Sequence, residues 1–300
     1  MQRLIRFIMA GRTQAIIIAV LFTILSIFIP PIALLSHSTI ALVTLRHGWL
    51  FGLQISLLAS GLLLLFFFTL IEDPIRFTLL ILLQWLPVIL LASLLMKTVS
   101  WQRTLQTTFA MSVIALLLFY YFVPEPENFW LTLLEQTLKP LLIEAQMPLV
   151  KIETLFAETI PWMTGALIAI IMLGWITTLL LARYWQATLY NPKGFAKEFQ
   201  QISLGKIMAL LMIAITILSL INNESKLFSE LLLLGMVVFL FQGLSISHAM
   251  VNQLKMGKGW LVGLYIFLLL AFQLVIMILA IVGTIDNFAK FRQRFSSAPS

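Results

Sequence analysis

The sequence predicts an all-α protein, a polytopic transmembrane helical bundle of about eight to nine spans. Of its 300 residues, 61% are hydrophobic and only 10% are charged, whereas soluble domains are typically about 45–50% apolar and about 25% charged. The mean hydropathy of +1.04 indicates that lipid is the solvent. The apolar residues occur in long runs and not in the alternating pattern of outer-membrane barrel strands.

The first predicted element is a short hairpin around Pro30 and Pro31. The apolar stretches 15–28 and 32–45 flank the two prolines, and neither is long enough to cross a standard bilayer core comfortably. Two short tilted helices, a re-entrant hairpin and one kinked helix all remain open. Because the prolines stand where a signal peptide would have a small-residue cleavage site, we interpret this segment as an uncleaved first helix.

The strong span candidates come next. A span needs about 20 apolar residues, and the stretches that satisfy this are 49–71, 75–96, 104–123, 161–182, 229–250 and 260–285. The apolar stretch 207–221 is shorter and therefore marginal. We expect one integral membrane domain over residues 1–300, with no boundary inside it.

The distribution of Lys and Arg predicts the orientation in a bacterial inner membrane, with the N-terminus in the cytoplasm. Arg3, Arg6, Arg12 and the loop 184–206 are cytoplasmic in this interpretation. The acidic connection 124–160 then lies outside, and its helical spacing of apolar residues predicts amphipathic helices in the outer interface, as a connector or as a lid over an outward-facing site.

The C-terminal half leaves two topologies open. If every later candidate spans, the basic tail 286–300 lies outside. If 207–221 only dips into the membrane, the tail is cytoplasmic but Lys255 and Lys258 lie outside. We favour the second arrangement, with eight spans and both termini inside.

Catalytic and cofactor signals are absent from the sequence. It has no cysteine, and His37, His47 and His248 pair with no carboxylate or second histidine at metal-ligand spacing. No charged residue lies near the middle of a confident span, which argues against a proton pump built on a buried carboxylate. We therefore expect no enzyme activity, no cofactor and no metal. The basic residues lie in short loops, so we expect the lipid bilayer as partner and no nucleic acid.

Polar side chains within the spans are the candidate ligand-binding residues. Gln242, Ser245, His248 and Asn252 follow one helix of the 229–250 region, and Gln84 lies mid-span beside Trp85. Such residues either hydrogen-bond neighbouring helices or line a pocket for a small ligand. The sequence does not separate these two interpretations.

Several segments together resemble the YybS-like family of predicted bacterial membrane proteins. They are residues 6–15, 41–48, 181–199, 239–248 and 283–294. That family is distantly similar to the substrate-binding (S) components of energy-coupling factor importers, which capture vitamins or metals from outside. S components dock to a transporter coupling subunit through an Ala-x-x-x-Ala motif on the first helix, and Ala15 and Ala19 match that motif.

The resemblance implies small-molecule capture as an S-component-like part of an importer, and this is our leading hypothesis. The alternative is a non-enzymatic membrane scaffold or assembly factor that acts through protein contacts of the loop 184–206 and the basic tail. A membrane-embedded enzyme, which would need a hydrophilic cavity around His248 or the outer carboxylates, is a third hypothesis.

Overall fold

A computed structural model describes residues 1–222 and 225–296, and its regular structure within these ranges is helical. The α-helices are α1 Gln2–Ile8, α2 Arg12–Phe28, α3 Ala33–His47, α4 Trp49–Phe67, α5 Pro74–Thr98, α6 Trp101–Phe122, α7 Pro126–Thr137, α8 Lys139–Glu144, α9 Leu149–Thr159, α10 Met163–Tyr190, α11 Gly194–Phe199, α12 Lys206–Ile221, α13 Lys226–Gln253, α14 Gly259–Leu270, α15 Phe272–Ala289 and α16 Phe291–Ser296.

The predicted fold class is confirmed. In the described part of the chain, six helical segments are long and apolar enough to cross a membrane, and they include α4, α5, α6, α10, α13 and α15. Shorter apolar helices such as α12 and α14 accompany them. Residues 297–300 of the predicted basic tail lie outside the described residues.

The chain divides into two compact units. Unit 1 comprises Met1–Thr108 and Leu173–Ser203, and unit 2 comprises Phe109–Met172 and Leu204–Ser300. Helices α6 and α10 each contribute residues to both units. The expectation of one integral membrane domain stays a prediction.

Unit 1 is built around α3. Residues 38–45 of this helix are buried, although the segment contains several hydroxyl groups. Thr39 and Thr44 satisfy their hydroxyls by donating to carbonyls four residues earlier, at 2.9 and 2.7 Å. Small polar residues therefore let neighbouring helices approach α3 without leaving polar atoms unpaired.

The Pro30–Pro31 hairpin is present in unit 1. Helices α2 and α3 flank a single 3₁₀ turn at Pro30–Ile32, and they run antiparallel, because the hydroxyls of Thr23 and Ser36 lie 2.8 Å apart across them. Helix α1 leaves α2 at 119°. The prolines end α2 because they lack the backbone N–H and fix φ. The same fixed φ suits the start of a helix, and α3 begins directly after the turn.

In unit 2 the predicted span 260–285 is wrong. Ala271, with φ −127° and ψ 48°, separates α14 from α15. The Gln253 amide at the end of α13 donates to the Arg292 carbonyl, 3.2 Å away and just beyond α15. The C-terminal ends of α13 and α15 therefore lie side by side. Because the chain leaves α13 at this end, α14 must run away from it and α15 must run back toward it, so α14 and α15 form a hairpin. Hydropathy does not reveal the break at Ala271, because the stretch is apolar on both sides and has no proline there.

This hairpin also corrects both predicted topologies. Gly205 donates its N–H to the Asn287 Oδ1 at 2.9 Å, so α12 begins where α15 ends. The ends of α13 and α15 and the start of α12 therefore lie together, and we call this the basic end of unit 2. Its cationic residues are Lys206, Lys255, Lys258, Lys290 and Arg292. Neither predicted arrangement placed all five on one side.

The opposite, acidic end of unit 2 contains the connection 124–160. As predicted, amphipathic helices form there, namely α7, α8 and α9. They pack around a small core of Trp130, Ile152, Phe156 and Ile160, and Glu127 forms an ion pair with Lys226 at the start of α13. Whether these helices act as a lid stays a prediction.

Candidate functional site

A polar pocket lies within unit 1, between the end of α2, the start of α3 and the first half of α5. Its volume is about 370 Å³, and it has an open side. Its lining residues include Thr23, Ser26, Ser36, His37, Phe77, Gln84 and Trp85. Pockets for small molecules usually have about 300–1,000 Å³ and a few placed polar groups in an apolar wall.

Hydroxyl groups form the wall of the pocket on α2 and α3. The Ala19 carbonyl accepts hydrogen bonds from the Thr23 and Ser36 hydroxyls, at 2.8 and 3.0 Å, and Ser26 donates to the Thr23 carbonyl at 2.6 Å. The Thr23 and Ser36 hydroxyls also hydrogen-bond to each other at 2.8 Å. Since each hydroxyl oxygen has two lone pairs, acceptor sites remain on this wall. The hairpin thus brings the hydroxyl oxygens of Thr23 and Ser26 on α2 close to that of Ser36 on α3, although the Pro30–Pro31 turn separates the two helices in the sequence.

His37 and Gln84 bring side chains from α3 and α5 to the same pocket. The His37 Nδ1 lies 2.6 Å from the Ala33 carbonyl, which fixes Nδ1 as the donor and leaves Nε2 as an acceptor. Gln84 lines the pocket from α5, as His37 does from α3. Gln84 is nevertheless exposed on the surface of α5, near the middle of a span. An amide exposed to hydrocarbon is costly unless polar groups surround it.

Trp85 contributes a donor without an acceptor. Its side chain is fully buried, and the indole Nε1 has no hydrogen-bond partner among the described residues. An unsatisfied buried donor costs about 1–3 kcal/mol. Trp85 lines the pocket, but its Nε1 is itself buried, and the indoles of Trp101 and Trp185 are unpaired in the same way.

Charge distinguishes the two ends of unit 1. The pocket lies near the Pro30–Pro31 turn and the start of α5, where Glu72, Asp73 and Arg76 are exposed. The opposite ends of these helices have the basic residues Arg12, Arg46 and Lys97. The pocket is therefore at the less basic end of its unit.

The predicted polar stripe of α13 divides into residues with different surroundings, all in unit 2. Gln242 is fully buried, and its Oε1 accepts the Leu204 N–H at 2.8 Å. It thereby anchors the turn that precedes α12, while its Nε2 has no partner among the described residues. Gln84 belongs to unit 1 and lies in the pocket described above.

The other three residues of that stripe become progressively more exposed along α13. Ser245 is fully buried, His248 is half-buried and its Nε2 lies 2.9 Å from the Tyr265 hydroxyl on α14, and Asn252 is exposed. The contacts of Gln242 and His248 with neighbouring backbone and side chains favour helix packing. Ligand binding by Gln242, Ser245, His248 and Asn252 stays a prediction.

Ala15 and Ala19, the expected docking residues, lie inside unit 1. Both have an exposed fraction of 0%, and the Ala19 carbonyl bonds the hydroxyls of Thr23 and Ser36. These methyl groups pack against the chain itself in this structure. Docking of a coupling subunit through them stays a prediction and requires α2 to move.

Glu230 is a buried carboxylate that the sequence reasoning missed. Only 1% of the residue is exposed. Its Oε2 accepts the Tyr120 hydroxyl at 2.8 Å and its Oε1 accepts the Gly165 N–H at 3.0 Å, so Glu230 connects α13 to α6 and α10. Glu230 stands near the start of α13, where a charged residue is expected at the membrane interface. The available signal in the sequence was that Glu230 follows Lys226 by four residues, a spacing at which two helix residues are neighbours.

Gly165 makes this connection possible. A Cβ atom on Gly165 would lie 2.7 Å from the Glu230 Cγ and 2.9 Å from its Cβ, so only glycine allows α10 to approach so closely. With two donors on the carboxylate, Glu230 is well satisfied and reads as a structural residue. Among the described residues, no cluster of three or more His, Asp or Glu could hold a metal ion.

Comparison with known proteins places the chain in a family. The model of the family described as "Predicted membrane protein (DUF2232)" matches residues 131–287. This range includes α12, α13 and most of α15 but not the pocket helices α2, α3 and α5. No curated protein and no solved structure matches the chain, and the expected similarity to S components stays a prediction. Because the family model covers more than half of the chain, this protein belongs to the DUF2232 family of predicted membrane proteins.

Proposed function

We propose that this membrane protein captures a small neutral molecule in the polar pocket of unit 1. The observation that carries the proposal is a pocket of small-molecule size that gathers hydroxyl, imidazole and amide groups from α2, α3 and α5 beside the aromatic side chains of Phe77 and Trp85. A hydrophobic span gains nothing from polar groups without partners.

The lining defines the chemical class of the ligand. No charged side chain lines the pocket, so an ionic group would lose its hydration without compensation. Gln84 supplies a donor, and the hydroxyls and the His37 Nε2 supply acceptors. Phe77 and Trp85 add aromatic surface. The ligand we propose is uncharged, has both donor and acceptor groups, and has an apolar or aromatic part.

The charge distribution of unit 1 favours entry from outside. Arg12, Arg46 and Lys97 lie at the end away from the pocket, and basic ends of membrane helices are usually cytoplasmic. The pocket would then open in the outer half of the bilayer. This agrees with the S-component resemblance, in which capture from outside precedes transfer inward by partner subunits.

We propose binding and not catalysis. His37 is the only titratable side chain that lines the pocket, and it has no carboxylate to orient it as a general base. A scaffold role remains the alternative. Within the loop 184–206, α11 is held to α10, because Arg183 forms a two-pronged ion pair with Glu198 at 2.9 and 2.7 Å.

Native mass spectrometry of protein purified from its own host tests the proposal. The wild type should retain a small non-lipid molecule, and the Gln84→Leu and Trp85→Phe variants should lose it. Gln273→Leu is the matched control, because Gln273 is also an exposed amide on an apolar helix but lies outside the pocket. Equal retention by all four proteins would contradict the assignment of the site. An empty wild type that co-purifies with other proteins would favour the scaffold.

A further inference from the structure

Unit 2 has an apolar groove on its surface that none of the roles above involves. It lies between α12, α13 and α15 and has a volume of about 420 Å³. The residues on its walls include Met212, Thr216, Met236, Met277, Thr284 and Phe288. Since α13 and α15 are among the candidate membrane spans, the groove faces the bilayer or another apolar partner.

The groove offers no hydrogen bonds to an occupant. Thr216 and Thr284 are its only polar residues, and each hydroxyl donates to a carbonyl of its own helix, at 2.8 Å in both cases. A ligand with polar groups along its length would therefore lose hydrogen bonds on entering. A hydrocarbon chain would lose none.

One end of the groove lies beneath two lysines. Phe288 lines the groove two residues before Lys290, which ends α15. The hydrogen bond between Gly205 and Asn287 brings Lys206, the first residue of α12, to the same end. Both lysines are exposed.

The nearby arginine is used differently. Arg292 pairs with the buried Asp286 carboxylate at 2.8 Å, whereas neither Lys206 nor Lys290 takes part in an ion pair with a described residue. Two exposed lysines thus stand at the helix ends that border a hydrocarbon-lined groove. This combination matches the two parts of an anionic phospholipid, since Lys attracts phosphate groups at a membrane surface.

We propose that the groove holds an acyl chain of an anionic phospholipid whose headgroup lies between Lys206 and Lys290. A free phosphate would use the lysines but not the groove, and a zwitterionic lipid would use the groove with little benefit from the lysines. The apolar lining and the positive charge together therefore select a lipid of net negative charge. This site lies in unit 2 and does not depend on the pocket of unit 1.

The test is a lipid titration of the delipidated full-length protein, followed by native mass spectrometry. The probes are dioleoylphosphatidylglycerol and dioleoylphosphatidylcholine. The wild type should bind phosphatidylglycerol more tightly. The affinity of the double variant Lys206→Gln/Lys290→Gln for this lipid should fall about tenfold to thirtyfold, since each lysine near a lipid surface contributes roughly fivefold. Phosphatidylcholine binding should not change.

Two further variants separate the parts of the proposal. Lys255→Gln/Lys258→Gln removes the same charge from the same end of unit 2 but away from the groove, and it should keep the preference for phosphatidylglycerol. Thr216→Phe fills the groove and should weaken both lipids. Equal binding of the two lipids by the wild type, or an equal loss in both lysine double variants, would overturn the proposal, because either result would mean that no specific headgroup site exists.

Discussion

Replacing Gly283 with alanine tests how closely α13 and α15 pack. A Cβ atom on Gly283 would lie 2.6 Å from the Phe239 carbonyl oxygen and 3.1 Å from the Gly243 backbone nitrogen. Ordinary van der Waals contact begins at 3.4 Å, so 3.4 less 2.6 leaves about 0.8 Å by which the helices must separate. Both obstacles are backbone atoms, which cannot move aside as a side-chain end can.

The expected cost follows from two opposing effects. Alanine is favoured over glycine in a helix by about 1 kcal/mol. Overpacking a tight contact typically costs about 1–3 kcal/mol and occasionally more, and separation of α13 from α15 also loosens the contacts that hold Asn287 against Gly205. We expect Gly283→Ala to lower the free energy of unfolding by about 1–2 kcal/mol.

The assay is equilibrium unfolding in mixed micelles of a mild detergent and sodium dodecyl sulfate, followed by circular dichroism. Gly263→Ala is the matched control, because Gly263 lies on the apolar helix α14 of the same unit and a Cβ there meets nothing within 4 Å. The control should be neutral or stabilised by helix propensity. If Gly283→Ala is as stable as Gly263→Ala, the close crossing of α13 and α15 is refuted.

Three more substitutions test contacts that the fold depends on. Glu230→Gln places an amide N–H₂ where two donors now meet the carboxylate. Thermal melting in detergent should therefore show a loss of about 1–3 kcal/mol in stability, and an unchanged melting temperature would contradict the structural role of Glu230. Gly52→Ala should destabilise the protein because its Cβ would overlap the Thr44 side chain, whereas Gly61→Ala, with open space around it, should not; the same melting experiment distinguishes them. Ala19→Leu should lower stability by about 1–3 kcal/mol, since Ala19 has no exposed surface; a stable variant that instead loses a co-purifying subunit would restore the docking hypothesis.

Hydropathy located the helices well because each long span must be apolar over most of its length. The predicted stretches 75–96 and 104–123 differ from α5 and α6 by only a few residues at each end. The break at Ala271 was missed for the same reason, because both sides of it are equally apolar. Periodicity and composition indicate which residues face lipid or water. They do not indicate where the chain reverses direction inside the lipid.

The candidate site was only partly accessible from sequence. Gln84 was chosen as a polar residue in mid-span, and it lies in the pocket. Thr23 and Ser36 were not chosen, because hydroxyl residues are common in membrane helices and only the hairpin brings these two together. On α13, the contact of Gln242 with the backbone at Leu204 is one that no local pattern reveals, and ligand binding by Gln242 stays a prediction.

Accessibility of the pocket to water from one side tests the central claim most directly. The chain contains no cysteine, so Gln84→Cys and Leu83→Cys each introduce a single thiol. Leu83 is the control, because it is a neighbouring exposed side chain of the same span but does not line the pocket. A membrane-impermeant maleimide added outside intact cells should label Gln84→Cys and leave Leu83→Cys unlabelled, because only a hydrated thiol ionises and reacts. Absence of labelling at both positions, or labelling of Gln84→Cys only from the cytoplasmic side, would contradict an outward-facing capture site.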